Sequence, residues 1–420
     1  MTRMRSAGIL IFAALLALAL QASPQNAGNS APPANAESTT NPRTRPGYAG
    51  DAACAKCHRE QSLTYGHTAH HLTSQPATAK TVLGDLHPPG NVLTISDPKK
   101  NPSQPALYFK TEMKGDAIVQ SAVTGWGDQL FTRSEPLSVV TGSGVRGQTY
   151  LYWQGDRLFE LPVSYWTDGY RWVNSPGYID GTADFSRPVN PGCLECHASY
   201  IHPLSSDALT NSYEKQTLET GISCESCHGP GAEHIARYSS SAAKAADSAI
   251  LNPAKFTRDR QVDACAYCHN GIQRQALTPA FSFVPGRPLT DFFKPLATEA
   301  AAHPDVHGNQ VGLLQRSRCY QSSPEMSCST CHDTHAPEKA AAAYSTACLK
   351  CHQWTSCGES KRLGHEIVKD CIDCHMPVEP TSVIASETAG TEVRARMRNH
   401  WIKIYPGRDP GDQPAKAQTH

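Results

Sequence analysis

The chain has 420 residues, enough for two or three domains, and its 38 basic and 38 acidic side chains cancel to a formal charge of zero. Removal of an N-terminal leader holding Arg3 and Arg5 would leave the remainder slightly acidic, which argues against nucleic acid as a partner. Beyond that leader no apolar run approaches the roughly 20 residues a membrane span needs.

Residues 1–22 read as a signal peptide: a basic start, an apolar run from Ala7 to Leu20, and the small residue Ala22 at the cleavage position. Its apolar run is short for a span, so the mature chain is expected in the periplasm or outside the cell. Residues 23–46, made mostly of Pro, Asn, Ala, Ser and Thr, read as a disordered linker.

The next segment, residues 47–90, carries Cys54-Ala-Lys-Cys57-His58 and then His67, His70, His71 and His87. The pattern C-x-x-C-H recurs six more times: Cys193, Cys196 and His197; Cys224, Cys227 and His228; Cys265, Cys268 and His269; Cys328, Cys331 and His332; Cys348, Cys351 and His352; Cys371, Cys374 and His375. These seven copies use fourteen of the sixteen cysteines. In a c-type haem site the two thiols add across the two vinyl groups of one porphyrin and the adjoining imidazole ligates the iron. Seven covalent haem c groups are therefore expected, held by those fourteen cysteines and ligated by His58, His197, His228, His269, His332, His352 and His375. Zinc knuckles give no reason for a His after every second Cys, and disulfide frameworks do not repeat one spacing with a constant His.

Residues 91–187 contain neither Cys nor His and are rich in aromatic and β-branched side chains. They read as a β-rich insert with its own core. Strands are expected at Asn91–Ser96, Ala106–Met113, Ala117–Val123, Thr149–Gln154 and Arg157–Val163, the last two joined by the two-residue turn Gly155-Asp156. Gly142-Ser-Gly144-Val-Arg-Gly147 matches the dinucleotide fingerprint in letters, but the segment after it is strand-like, whereas the motif must open a helix. Residues 188–380 form the six-motif segment, with helices expected at Ser206–Glu219, Ala232–Ala249 and Pro337–Lys350; residues 381–420 are left as a C-terminal tail. The fold class expected is α+β, mostly short helices and loops wrapped around covalent haems, with a haem-free β-rich insert.

Twelve histidines lie outside the motifs: His67, His70, His71, His87, His202, His234, His303, His307, His335, His365, His400 and His420. His335 comes three residues after His332, and three residues span at most about 11 Å, too short to pass round a porphyrin edge. Should His335 ligate iron, it must do so at a neighbouring haem. Met113, Met326, Met376 and Met397 are alternative ligands. Cys319 and Cys357 stand outside every motif, as a disulfide or, second, as a thiolate ligand.

The phrases Cys224-Glu-Ser-Cys-His-Gly-Pro-Gly-Ala-Glu-His234, Ser327-Cys-Ser-Thr-Cys-His-Asp-Thr-His335 and Asp370-Cys-Ile-Asp-Cys-His-Met-Pro377 resemble the multihaem cytochromes c related to the tetrahaem electron acceptor of hydroxylamine oxidoreductase and to octahaem nitrite and tetrathionate reductases. The first motif segment and the stretch from Val140 to Tyr178 resemble exported cytochromes often fused to tetratricopeptide repeats. The resemblance implies His234, His335, His365 and one of His70 or His71 as second axial ligands, with His307 and His400 in addition. No C-x-x-C-K motif is present, so the usual mark of pentahaem nitrite reductases is missing. The expected function is electron relay by an exported heptahaem cytochrome with mostly bis-histidine haems. Its partners would be redox proteins, a quinol-linked or outer-membrane electron-transfer complex among them. The alternatives are reduction or oxidation of a small nitrogen or sulfur compound at one five-coordinate haem, and self-assembly into a haem filament.

Overall fold

Three Gly-Asp pairs turn the chain back on itself in the insert. Gly115, Gly127 and Gly155 take φ of +61°, +54° and +63°, a region glycine enters without a Cβ penalty. Each opens a two-residue loop between antiparallel strands. The computed structural model describes residues 45–239, 249–271, 275–295 and 309–407, all within the compact unit that begins at Arg43.

The strands of the first half are β1 (Ser74–Pro76), β2 (Val92–Ser96), β3 (Ala106–Lys114), β4 (Ala117–Trp126), β5 (Gln129–Pro136), β6 (Val139–Thr141), β7 (Gly147–Gln154), β8 (Arg157–Glu160), β9 (Val163–Trp166) and β10 (Arg171–Asn174). One sheet runs β2-β3-β4-β5, and a second runs β1-β6-β7-β9-β10 with β8 also paired to β7. Phe109, Ile118, Val140, Tyr150, Tyr152, Leu161, Trp172 and Phe185 pack into one core between them. Gln120 is fully buried there, and its side-chain amide donates to the Val163 carbonyl and accepts from the Val163 N–H, both at 3.0 Å. That pair satisfies polar groups that would otherwise be stranded in an apolar core. The five strands expected from the sequence are present with shifted ends, and the glycine-rich Gly142–Gly147 stretch leads into β7 rather than a helix.

The second half is built of short helices and two hairpins, which makes the whole a mixed α+β fold. Hairpin β11 (Ala198–Pro203) with β12 (Tyr213–Thr220) replaces the helix expected over Ser206–Glu219. Tyr213 is buried against Leu158, Val189 and Leu194, and long-range pairing with β11 outweighs local propensity. Hairpin β13 (Val378–Thr388) with β14 (Thr391–Arg398) occupies much of what the sequence left as tail. It packs Ala395 and Val393 on Trp166 and Val173 of the insert, and its turn is fixed by Asp180, which accepts from the Ala389 and Gly390 N–H groups at 3.1 and 2.8 Å. The expected helix at Ala232–Ala249 is seen as Ala232–Ser239, its remainder lying outside the described residues; Pro337–Lys350 contains the helix Ala341–Cys348. Among the described residues no helix is long and apolar enough to cross a membrane.

Candidate cofactor sites

Each motif is about one turn of chain. The His58, His332 and His352 N–H groups each donate to the carbonyl of the first cysteine of their motif at 2.9 Å. An i to i+4 closure of this kind holds two thiols and one imidazole on a single turn. Helices Pro191–His197, Cys224–His228, Arg258–His269 and Cys371–His375 present the same triad at their C-terminal ends.

Four motif imidazoles each face an imidazole from elsewhere in the chain. His58 and His234 have ring centres 6.4 Å apart at 22°, His228 and His335 5.9 Å at 25°, and His332 and His400 6.2 Å at 25°; His269 and His70 stand 6.0 Å apart at 79°. A metal–nitrogen bond of about 2.0 Å on either side, plus the half-width of each ring, puts the ring centres about 6 Å apart when two imidazoles share one metal. The donor set therefore fits bis-imidazole ligation of iron. Burial, then His70, His400, His332 and His197, push the His269 pKa down to about 4; burial, then His332, push His400 down to about 4. Burial also lowers His70. Neutral imidazole is the form that ligates.

The remaining candidates divide. His71 lies edge-on to Tyr65 at 5.7 Å with its Nδ1 3.9 Å from Asp51, so of the two adjacent histidines it is His70 that faces a motif ring. His365 packs edge-on to Trp354 at 5.3 Å. His307 lies outside the described residues. The disulfide expected of Cys319 and Cys357 is not formed: both are free thiols. They sit beside different motifs, Cys319 close to Cys331 and Cys348 and Cys357 close to Cys371 and Cys374.

All fourteen motif cysteines are likewise free of disulfides. Cys57, Cys193, Cys227 and Cys351 are exposed, whereas Cys196 and the other nine are half-buried. Cys196 stays close to Cys193 on the helix Pro191–His197. Cys351 is held to Cys348 by its N–H, which donates to the Cys348 carbonyl at 3.1 Å.

Several motif thiols meet in a row. Cys54 lies beside Cys224, and Cys265 beside Cys328. The neighbouring Cys328, then burial and Cys227, push the Cys265 thiol up. Burial, then Cys371, Cys331 and Cys319, push Cys348 up to about 11. The motifs ending at His58, His228, His269, His332, His352 and His375 thus succeed one another in space, with that of His197 beside His269 through Cys268, whose thiol reaches the Glu195 carbonyl at 3.8 Å.

Comparison with known proteins finds similar cytochromes. Residues 176–229 match the family model "Cytochrome c554 and c-prime". The C-type polyheme cytochrome OmcC of Geobacter sulfurreducens is 27% identical over 165 residues, which is 33% of this chain and 20% of that protein. OmcB of the same species is 24% identical over 164 residues, 34% of this chain and 19% of that protein. The chain thus spans about a fifth of the length of these curated relatives. The crystal structure of the outer cell wall cytochrome OcwA aligns with a TM-score of 0.53 at 16% identity, over 85% of this chain and 80% of that one, which is a likeness of fold. The chain is a multihaem c-type cytochrome.

In this cytochrome the residues inside the motifs do a second job that the sequence did not announce. Glu225, within the third motif, is 2% exposed. Its Oε1 accepts from the Ala49 and Gly231 N–H groups, both at 2.8 Å, and its Oε2 from the Gly50 N–H at 2.9 Å. Gly50 precedes the helix Asp51–Cys54 and Gly231 the helix Ala232–Ser239, which carries His234. One carboxylate therefore ties together both chain segments that bring His58 to His234. Asp51 answers it by accepting from the Cys224 N–H at 3.0 Å. Glu195, in the second motif, accepts from the Tyr267 hydroxyl of the fourth and from the Phe281 N–H, both at 2.9 Å. Asp373, in the seventh, holds Arg398 at 2.8 Å, and Arg398 also donates to the Ile372 and Met376 carbonyls. Acidic residues inside C-x-x-C look like solvated surface in sequence; only the long-range donors that fold onto them reveal the role.

Proposed function

We propose that the cytochrome is exported, carries seven haems, and relays electrons between redox proteins through sites in which most irons have two histidine ligands. Haem supplies reversible one-electron chemistry at iron. The chain's part is to hold each site rigid, exclude water and keep neighbouring sites close. Fourteen motif cysteines anchor the porphyrins and seven motif histidines ligate the irons. His234, His335, His400 and His70 serve as second ligands at the sites of His58, His228, His332 and His269. For His307 and His365 we keep the same role at the remaining sites on the resemblance alone.

The observation that carries this reading is the set of four pairs, each made of one motif imidazole and one spare imidazole, at 5.9–6.4 Å between ring centres. A site closed on both sides by histidine has no open position for substrate, which suits transfer over catalysis. The nearness of successive motifs supports a relay, because it brings neighbouring sites together from the first motif to the seventh. Export is supported by the leader read in residues 1–22 and by the assembly of c-type haem outside the cytoplasm. Intact mass of the exported holoprotein, with pyridine haemochrome quantification, tests the stoichiometry: seven haems per chain agree, and fewer would remove individual motifs from the relay.

A further inference from the structure

We propose that Glu338 lowers the reduction potential of the haem site of His332 and His400. The inference rests on the reading of those two histidines as the axial pair of one iron, and it concerns what lies behind them. The Nδ1 of His228 is 2.9 Å from the Leu251 carbonyl, that of His375 is 2.8 Å from the Lys403 carbonyl, and that of His197 is 3.0 Å from the Thr73 hydroxyl. All three are neutral acceptors. His332 differs: its Nδ1 is 3.3 Å from Oε1 of the Glu338 carboxylate.

Glu338 is held in place rather than merely nearby. The Tyr344 hydroxyl donates to its Oε2 and accepts from the Lys339 N–H at 3.1 Å, while the Tyr344 ring stands 5.2 Å from that of His332. Oε1 thus faces His332 while Oε2 is held by Tyr344, which fixes the carboxylate behind the imidazole. Its charge also reaches His400 and His70, the partner rings at this site and the adjoining one.

A carboxylate behind a ligating imidazole raises ligand basicity, and its negative charge favours ferric over ferrous iron by opposing the added electron. Outer-sphere partners of this type are worth about 10–100-fold in metal sites. The Glu338 side chain is 64% exposed and so partly screened by water, which places the effect at the low end. About tenfold corresponds to ~59 mV for one electron.

The test is spectroelectrochemical titration of the full holoprotein, wild type against E338Q and Y344F, with haem content and electron paramagnetic resonance on each sample. E338Q should move one midpoint upward by the tenfold equivalent, with a smaller movement at a second midpoint and the others fixed. Y344F, which frees the carboxylate, should move the same midpoint in the same direction by less. Seven haems with every midpoint unmoved in E338Q would overturn the inference. The underlying ligand reading is checked separately with H400M: a low-spin signal and midpoint set identical to wild type would remove His400 as a ligand and leave the Glu338 result to be reassigned.

Discussion

Replacing Glu225 by alanine tests how one carboxylate assembles a site from two remote segments. Its three N–H contacts, from Ala49, Gly50 and Gly231, are 2.8–2.9 Å long in a site with 2% exposure. Hydrogen bonds to a buried charge contribute about 1.5–3 kcal/mol each, but they are not additive, and removing the partner of buried polar groups typically costs about 3–5 kcal/mol in all. Glutamine keeps an acceptor for Ala49 and Gly231 and turns an NH2 toward Gly50, so E225Q should lose about 1.5–3 kcal/mol, less than E225A. Hydrogen exchange at the Ala49, Gly50 and Gly231 amides reads the local effect, and chemical denaturation of the holoprotein reads the global one. Because Gly50 and Gly231 lead into the helices bearing Cys54 and His234, E225A should also convert one low-spin iron to high-spin and leave the others unchanged. Protection of all three amides equal to wild type in E225A, with stability within about 1 kcal/mol, would refute the clamp.

The same geometry sets three more outcomes. H335A should open the site of His228 and spare that of His332, its neighbour in sequence, so that a C328S/C331S background still shows the new high-spin signal; a signal that vanishes with that background would contradict the crossed pairing. Q120L leaves the Val163 N–H and carbonyl without partners in a dry core and should lower stability by about 2–4 kcal/mol, read by thermal unfolding; a loss below about 0.5 kcal/mol would mean that water or the backbone replaces the amide. G155A forces a Cβ into φ +63° with open space around it, so its cost should be the conformational one alone, about 1–2 kcal/mol; a larger loss would point to contacts at the turn that the fold does not show.

What could be read from the sequence was what is local. The C-x-x-C-H turn is complete within five residues, and the Gly-Asp hairpins declare themselves within a dozen, so both were legible. His335 was partly so, since chain reach alone turns it away from His332, and the fold sets it against His228. Which remote ring His70, His234 or His400 would face is a property of tertiary packing, invisible to spacing. The same holds for Glu225, Glu195 and Asp373, whose partners lie on other motifs or on β14, and for Cys319 and Cys357, which packing sends to separate motifs. β12 was missed because Tyr213–Thr220 lacks clean alternation and its strand character comes from β11. Hairpin β13–β14 was missed because its burial comes from the insert, more than two hundred residues earlier in the chain.

The measurement that bears most directly on the relay is the electron paramagnetic resonance spectrum of the oxidised holoprotein, with haem counted on the same sample. Low-spin ferric signals accounting for at least the four paired sites, at seven haems per chain, are the predicted result. A spectrum dominated by high-spin iron, perturbed on adding nitrite or hydroxylamine, would contradict the bis-histidine relay and make the cytochrome an enzyme.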